Sequence, residues 1–199
     1  MRRLAFVVLC VGCTGSTSTP DADAFTDTFP DEVLRNGGFE TVDATGFAAE
    51  WNNLATNPGG EISVVTDPFR FGTRALQWRI EAGDGYEYFI IQNGIPGSAL
   101  TAGTTYELTG VYMFDHLGDI DFTYAVRGEG GTDPSYDDLS GQPVIASEVN
   151  VWEPFRYEIA IPPGTALPAR WEVVIDVLKF TGEPLTVTID GLSLHVKPA

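Results

Sequence analysis

The chain has 199 residues, of which 43% are hydrophobic and 12% aromatic, enough for one domain with a substantial core. Its formal net charge of -17 repels phosphate backbones and anionic lipid headgroups, which argues against nucleic acid as a partner. Calcium, neutral polymers or plain solubility all suit so acidic a surface.

At the N-terminus, Arg2 and Arg3 precede an apolar run over 4–11 that is too short to span a bilayer as a helix but suits a signal peptide. Gly12 directly before Cys13 resembles the bacterial lipobox, with Cys10 standing where that motif usually has leucine. This resemblance implies cleavage after residue 12, lipidation of Cys13 and a place in the bacterial cell envelope, with ordinary secretion as the alternative. Cys10 and Cys13 are the only cysteines, so the exported part has none from which to build a disulfide. Core burial and bound metal are the remaining sources of stability. The segment after Cys13 is rich in Thr, Ser, Asp and Pro and too poor in aliphatic residues to offset its ordering entropy. The expected organisation is a signal peptide over 1–12, a flexible tether over 13–32 and one folded domain over 33–199.

Within that domain, Asn36-Gly37-Gly38-Phe39-Glu40 comes first. Two glycines relax the backbone so that Phe39 turns inward while Glu40 and nearby carbonyl oxygens converge. Its counterpart is Asp190, set among the alternating apolar residues Val187, Ile189, Leu192 and Leu194, where a carboxylate needs solvent or a partner. The two stretches are expected to meet and share a structural calcium ion. Between them the chain reads as short apolar stretches punctuated by glycine and proline. Strands are expected over 61–66, 74–81, 86–92, 105–115, 119–127, 152–161, 170–179 and 185–196. Alternation such as Leu76, Trp78, Ile80 and Trp171, Val173, Ile175 predicts an all-β, antiparallel β-sandwich. Trp51, Trp78, Trp152 and Trp171 alternate with other apolar residues and are assigned to the core.

The stretch from Asn36 to Glu40, then Trp51, then Val64-Val65-Thr66-Asp67 leading to Phe71-Gly72-Thr73-Arg74-Ala75-Leu76, resembles the opening of the CenC-type carbohydrate-binding modules of families 4 and 9. Tyr106 and Leu108, the stretch 152–161 and the closing Ile189-Asp190-Gly191-Leu192-Ser193-Leu194 continue the match in order. Gly191 departs from it, since a second acidic residue commonly stands there. The resemblance implies a jelly roll. It also implies Glu40 and Asp190 as side-chain ligands of calcium, Gly38 and Arg74 as carbonyl donors and Asp67 as a further carboxylate. Solvated carboxylates, or carboxylates paired with Arg74, are the plain alternative, and magnesium fits less well because it demands a tighter octahedron.

A sugar site needs aromatic rings to stack on pyranose faces and polar groups for the hydroxyls. Tyr86 and Tyr88 follow a glycine-flanked turn at i and i+2 and would share one face of a strand. In the resemblance an aromatic-bearing segment near this point lines a concave cleft, which makes Tyr86, Tyr88 and Gln92 the leading candidates. Asp115, His116, Tyr124, Arg127, Glu172 and Asp176 are expected to complete it, and core or rim packing is the alternative for the tyrosines. No nucleophile elbow, phosphate loop or dinucleotide fingerprint is present, and Asp119-Ile120-Asp121 lacks the glutamates of a jelly-roll glucanase strand. The expected function is therefore non-catalytic binding of a polysaccharide or envelope glycan by a monomeric, lipid-anchored protein. The alternative is an adhesion or assembly protein of the same fold without a sugar site.

Overall fold

The computed structural model describes residues 31–53, 60–81, 86–115, 120–129, 132–137, 148–179 and 183–198, with the backbone alone for 86–89, 120–124, 132–137 and 176–179. The expected leader and Cys13 lie outside these residues.

Among the described residues the domain has ten strands: β1 (Asn52–Asn53), β2 (Gly60–Val65), β3 (Ala75–Ile80), β4 (Tyr86–Pro96), β5 (Thr105–Phe114), β6 (Ile120–Gly128), β7 (Thr132–Asp137), β8 (Glu153–Ala160), β9 (Arg170–Lys179) and β10 (Leu185–Val196). They make two five-stranded sheets, in the orders β1-β4-β9-β6-β7 and β2-β3-β10-β5-β8, and every pairing is antiparallel. The chain is thus an all-β sandwich of jelly-roll type. All eight strands expected from the alternation are present. The two additions, β1 and β7, carry no apolar alternation: one is two asparagines, and the other includes Pro134 at the sheet's edge.

The core lies between the sheets. Ile90, Val126, Trp171, Val173 and Ile175 from the first sheet meet Leu76, Trp78, Leu108, Phe114, Val187, Ile189 and Leu194 from the second. Strand period two accounts for this: along β5 the residues Tyr106, Leu108, Tyr112 and Phe114 are buried in one phase. Trp51, Trp78 and Trp171 are buried as expected, whereas Trp152 is only half-buried, because it precedes β8 rather than lying in it.

β10 is paired on both sides only as far as Ile189, where β3 ends against it. A bulge follows between Asp190 and Ser193, with Gly191 at φ 60°. Beyond the bulge, the N-terminal segment takes the vacated edge. Val33 N–H donates to Leu194 O (2.8 Å) and Leu192 N–H to Gly37 O (2.9 Å). Glu32, expected in the tether, belongs to this attachment: its carboxylate accepts Leu34 N–H and Leu194 N–H, both at 2.9 Å, and the Ser193 hydroxyl. Burial raises the Glu32 carboxyl pKa against those bonds. The segment also reaches the other sheet. Gln92 on β4 gives its amide N–H to Arg35 O (2.7 Å) and accepts Arg35 N–H (2.9 Å).

Gly37 is set by contact. A Cβ there would stand 1.8 Å from the Leu192 carbonyl oxygen, and two backbones held by a hydrogen bond cannot both yield. Gly37→Ala is expected to cost about 3 kcal/mol or more in denaturant melts, the upper end for overpacking. Gly46→Ala serves as the comparison: its φ is 87° with open space around the site, and about 1 kcal/mol of left-handed strain is expected. Equal losses for the two variants would contradict the contact argument.

Candidate functional site

Two sites emerge from this frame. The first joins Glu40 and Asp190 through one loop. Phe39, at φ 58° and fully buried, turns the chain so that Glu40 faces the loop before β3. Glu40 Oε1 accepts the N–H groups of Thr73 (2.8 Å) and Arg74 (3.0 Å), and Oε2 accepts the Thr73 hydroxyl (2.8 Å). Asp190 Oδ2 accepts the N–H groups of Arg70 and Phe71, both at 2.8 Å, and Oδ1 that of Gly191 (2.7 Å). Gly72 fits between these anchors only without a side chain, since a Cβ would lie 2.1 Å from Glu40 Oε1 at a backbone φ of 60°.

Arg74 does not pair with either carboxylate; its guanidinium donates to the Glu40 carbonyl oxygen at 2.7 Å. Asp190 is fully buried. Burial lifts its carboxyl to about 7 against three backbone N–H groups, and the charge of Glu40 adds to the rise. Two carboxylates that repel each other, each with three of about four lone-pair positions filled, have the chemistry to receive a hard cation. Asp67 is exposed and takes no part in these bonds. Among the described residues, no group of three or more His, Cys, Asp and Glu is arranged to hold a metal, so any ion here would draw its further ligands from carbonyl groups.

The second site is an open cleft of about 740 Å³ on the outer side of the first sheet. Ile91, Asn93 and Glu172 from β4 and β9, with Glu129 after β6, form its floor; Asn52 and Asn53 of β1 border it, and the loop bearing Asp43, Thr45, Phe47 and Trp51 forms a wall. The floor continues into an apolar row, since Ile91 pairs with Val174 and Val174 with Ala125. Two pairs further on, on the same face, Glu172 stands opposite Arg127 and accepts from its Nε at 2.5 Å. The wall is tied locally: Asp43 Oδ1 accepts Thr45 N–H (2.8 Å), the Thr45 hydroxyl (2.6 Å) and Phe47 N–H (3.1 Å). The Thr45 hydroxyl does most to hold the Asp43 carboxyl below its ordinary pKa, keeping it ionised.

Of the residues expected to bind sugar, Arg127 and Glu172 lie on this outer face, and Asp176 holds a register position in phase with Val174. Of the others, only Gln92 and Asp115 have described side chains. Tyr86 and Tyr88 hold register positions on β4 in phase with Ile90 and Gln92, and their side chains lie outside what the structure describes. Tyr124 holds the register position opposite Ile175, its side chain likewise outside the description. Gln92 is the tie to Arg35 rather than a sugar ligand. Asp115 belongs to the other sheet, where its carboxylate accepts Thr186 N–H at 2.9 Å. His116 lies outside the described residues. The cleft residues Phe47, Asn52, Asn53 and Asn93 went unpredicted. An asparagine pair after Trp51 carries no periodicity, and only its pairing with β4 brings it to the sheet.

No protein-family model and no curated protein matches the sequence. Solved structures do share the fold. TmCBM61 in complex with β-1,4-galactotriose superimposes with a TM-score of 0.52 at 19% identity, over 83% of this chain and 99% of that one. The Clostridium thermocellum endo-1,4-β-D-xylanase 10B CBM22-1-GH10 modules, complexed with xylohexaose, give 0.52 at 19% identity over 84% of this chain and 28% of that one. Arabinose-bound MgGH51 α-L-arabinofuranosidase gives 0.58 at 15% identity over 83% and 26%. The chain thus spans nearly all of one carbohydrate-binding module and about a quarter of the two larger proteins. At these identities the likeness establishes the β-sandwich fold.

The pKa of Asp190 has a consequence for stability. A carboxyl raised in the folded state binds protons more tightly there, so its contribution is complete below the unfolded value of about 4 and is lost as pH rises through about 7. In chelator, the melting temperature is expected to fall across that window, and Asp190→Asn should flatten the fall. An unchanged slope in the variant would assign the pH dependence elsewhere.

Proposed function

We propose that this chain is a non-catalytic glycan-binding module that takes its ligand in the cleft between the 41–51 wall and the outer face of β4 and β9. The observation that carries this reading is the make-up of the cleft: the half-buried ring of Phe47 beside a mixed floor of Ile91, Asn93, Glu129 and Glu172, bordered by the exposed amides of Asn52 and Asn53. Amides both donate and accept, as sugar hydroxyls do, and an open trough admits a polymer. The fold shared with structures holding galactotriose and xylohexaose supports the same reading. Glu172, nearly sealed and bound to Arg127, serves as a fixed part of the floor rather than as a general acid.

An adhesion protein of the same fold would need an exposed apolar face. The row Ile91, Val174 and Ala125 is buried, so the exposed groups at the cleft are polar and glycan is the better fit.

Charge selects among glycans. Asp43, Glu129 and Glu172 line the cleft, and the described lining residues include no Lys, Arg or His. Arg127 and Arg170 already approach Glu172 (2.5 Å) and Glu129 (4.0 Å). A uronate about 5 Å from one carboxylate in water would lose about 0.8 kcal/mol, and the whole chain's charge adds to this. Neutral galactan or xylan is therefore expected to bind in titration calorimetry, and polygalacturonate to bind weakly or not at all at low salt. Phe47→Ala should weaken binding about fivefold. Failure of every neutral glycan in a broad array would end the proposal.

A structural calcium ion belongs to the same reading, held by Glu40 and Asp190 with the carbonyl groups of Gly38 and Arg74; it would neutralise the buried carboxylates and cross-link three segments. Calcium at about 100 times its dissociation constant would add roughly 2.7 kcal/mol of stability. Asp190→Ala should remove that response, and identical melts in calcium and chelator would refute the ion. The family assignment to CenC-type modules and the lipid anchor at Cys13 complete the proposal. Mass spectrometry of the membrane fraction is expected to find a lipidated N-terminal Cys13, and an intact Met1 terminus would contradict it.

A further inference from the structure

We infer that Asn36 is the positioning residue of the cleft, the side chain from which its 41–51 wall is hung. The inference rests on the reading of that cleft as a glycan site. The wall is largely exposed from Thr41 to Gly46, so apolar burial holds it only through Ala48, Trp51 and the half-buried Phe47. Its own bonds close it into a narrow hairpin: Asp43 N–H to Phe47 O (2.8 Å) and Ala49 N–H to Thr41 O (2.9 Å). An ion pair of Arg35 with Glu50 (2.9 Å) and the pairing of β1 with β4 hold its C-terminal end, and one amide ties its two legs together at the base. Asn36 Nδ2 donates to Thr41 O and to Ala49 O, both at 2.8 Å, and Oδ1 accepts Thr41 N–H at 3.0 Å.

The Asn36 main chain adds a fourth contact, its carbonyl accepting Trp51 Nε1–H at 3.1 Å, while the Trp51 ring lies 5.9 Å from that of Phe39. Asn36 thus grips both legs of the hairpin and the indole at its base. Few residues can do this. The backbone φ is 53°, a left-handed value that asparagine tolerates better than most residues. An aspartate of equal size has no N–H to give and would set a charge against two carbonyl oxygens.

Asn36→Gly separates the side chain from the backbone, because glycine adopts the left-handed conformation freely. Asn36→Asp tests the amide donors at constant size. For the full chain and both variants, two measurements are needed: calorimetric titration with β-1,4-galactan and with xylohexaose, and hydrogen exchange at the Asp43 and Ala49 amides. Losing two to three hydrogen bonds at the hairpin's base should weaken glycan binding about tenfold or more and speed exchange at those amides by a similar factor. Exchange along β5 and β10 should be unchanged.

Variants that bind and exchange like the parent would overturn the inference. So would exchange that rises equally throughout the domain, which would make Asn36 a general stabiliser. If the parent binds neither glycan, the cleft reading is contradicted for those ligands, and the exchange rates still decide whether Asn36 holds the loop.

Discussion

The contact between Gly37 and the Leu192 backbone is the constraint from which the other features follow. A bulge at Gly191 breaks the pairing of β10, and the N-terminal segment enters the edge left by β3, close enough that only glycine fits. Once that segment is fixed, Phe39 drops into the core, Glu40 meets the N–H groups of the loop before β3, and Asp190 takes the N–H groups of Arg70 and Phe71 in the same loop. Three distant stretches are thereby tied at one place. Two carboxylates brought close inside a protein oppose the arrangement electrostatically, and backbone donors offset only part of that cost.

The same segment connects this node to the cleft. Residues 36–40 carry the carboxylate of Glu40 at one end and the amide of Asn36 at the other, and Trp51 packs on Phe39 between them. Gln92 binds Arg35 from the first sheet, so the segment contacts both layers of the sandwich. A disturbance at the carboxylates has a short packed route to the wall of the cleft. Glycan affinity and the stability of the node would be expected to respond together to changes within 36–40, and Arg35 extends the same link to the cleft, its guanidinium donating to Asn93 O at 3.4 Å.

The fold was legible because its strands alternate in phases that burial later bore out, as in Leu76, Trp78, Ile80 and in Trp171, Val173, Ile175. Asn36 to Glu40 and Asp190 were legible as partners because glycines flanking a carboxylate, and a carboxylate amid apolar residues, are both physically unusual. The cleft was much less so. Period two showed that Tyr86 and Tyr88 share a side, but it left open which side faces the partner sheet; Ile90 and Gln92, in the same phase, turned out to be interior. The true outer phase contains Ile91 and Val174, which look like core residues in the sequence. Asn52 and Asn53 come to lie beside Asn93 only because β1 pairs with β4, a contact 37 residues or more apart for which local sequence gives no sign.

The central claim is that a neutral glycan occupies the cleft between the 41–51 wall and the outer face of β4 and β9. Mapping amide and indole chemical shifts by nuclear magnetic resonance during titration with a β-1,4-galacto-oligosaccharide tests it most directly. The account predicts saturable shifts clustered at Phe47, the Trp51 indole, Asn52, Asn53 and Asn93, with the second sheet unmoved where Thr109, Arg156 and Pro198 line a separate hollow. Shifts confined to that opposite sheet, or saturable binding that leaves the Trp51 indole and the three asparagines unchanged, would contradict it.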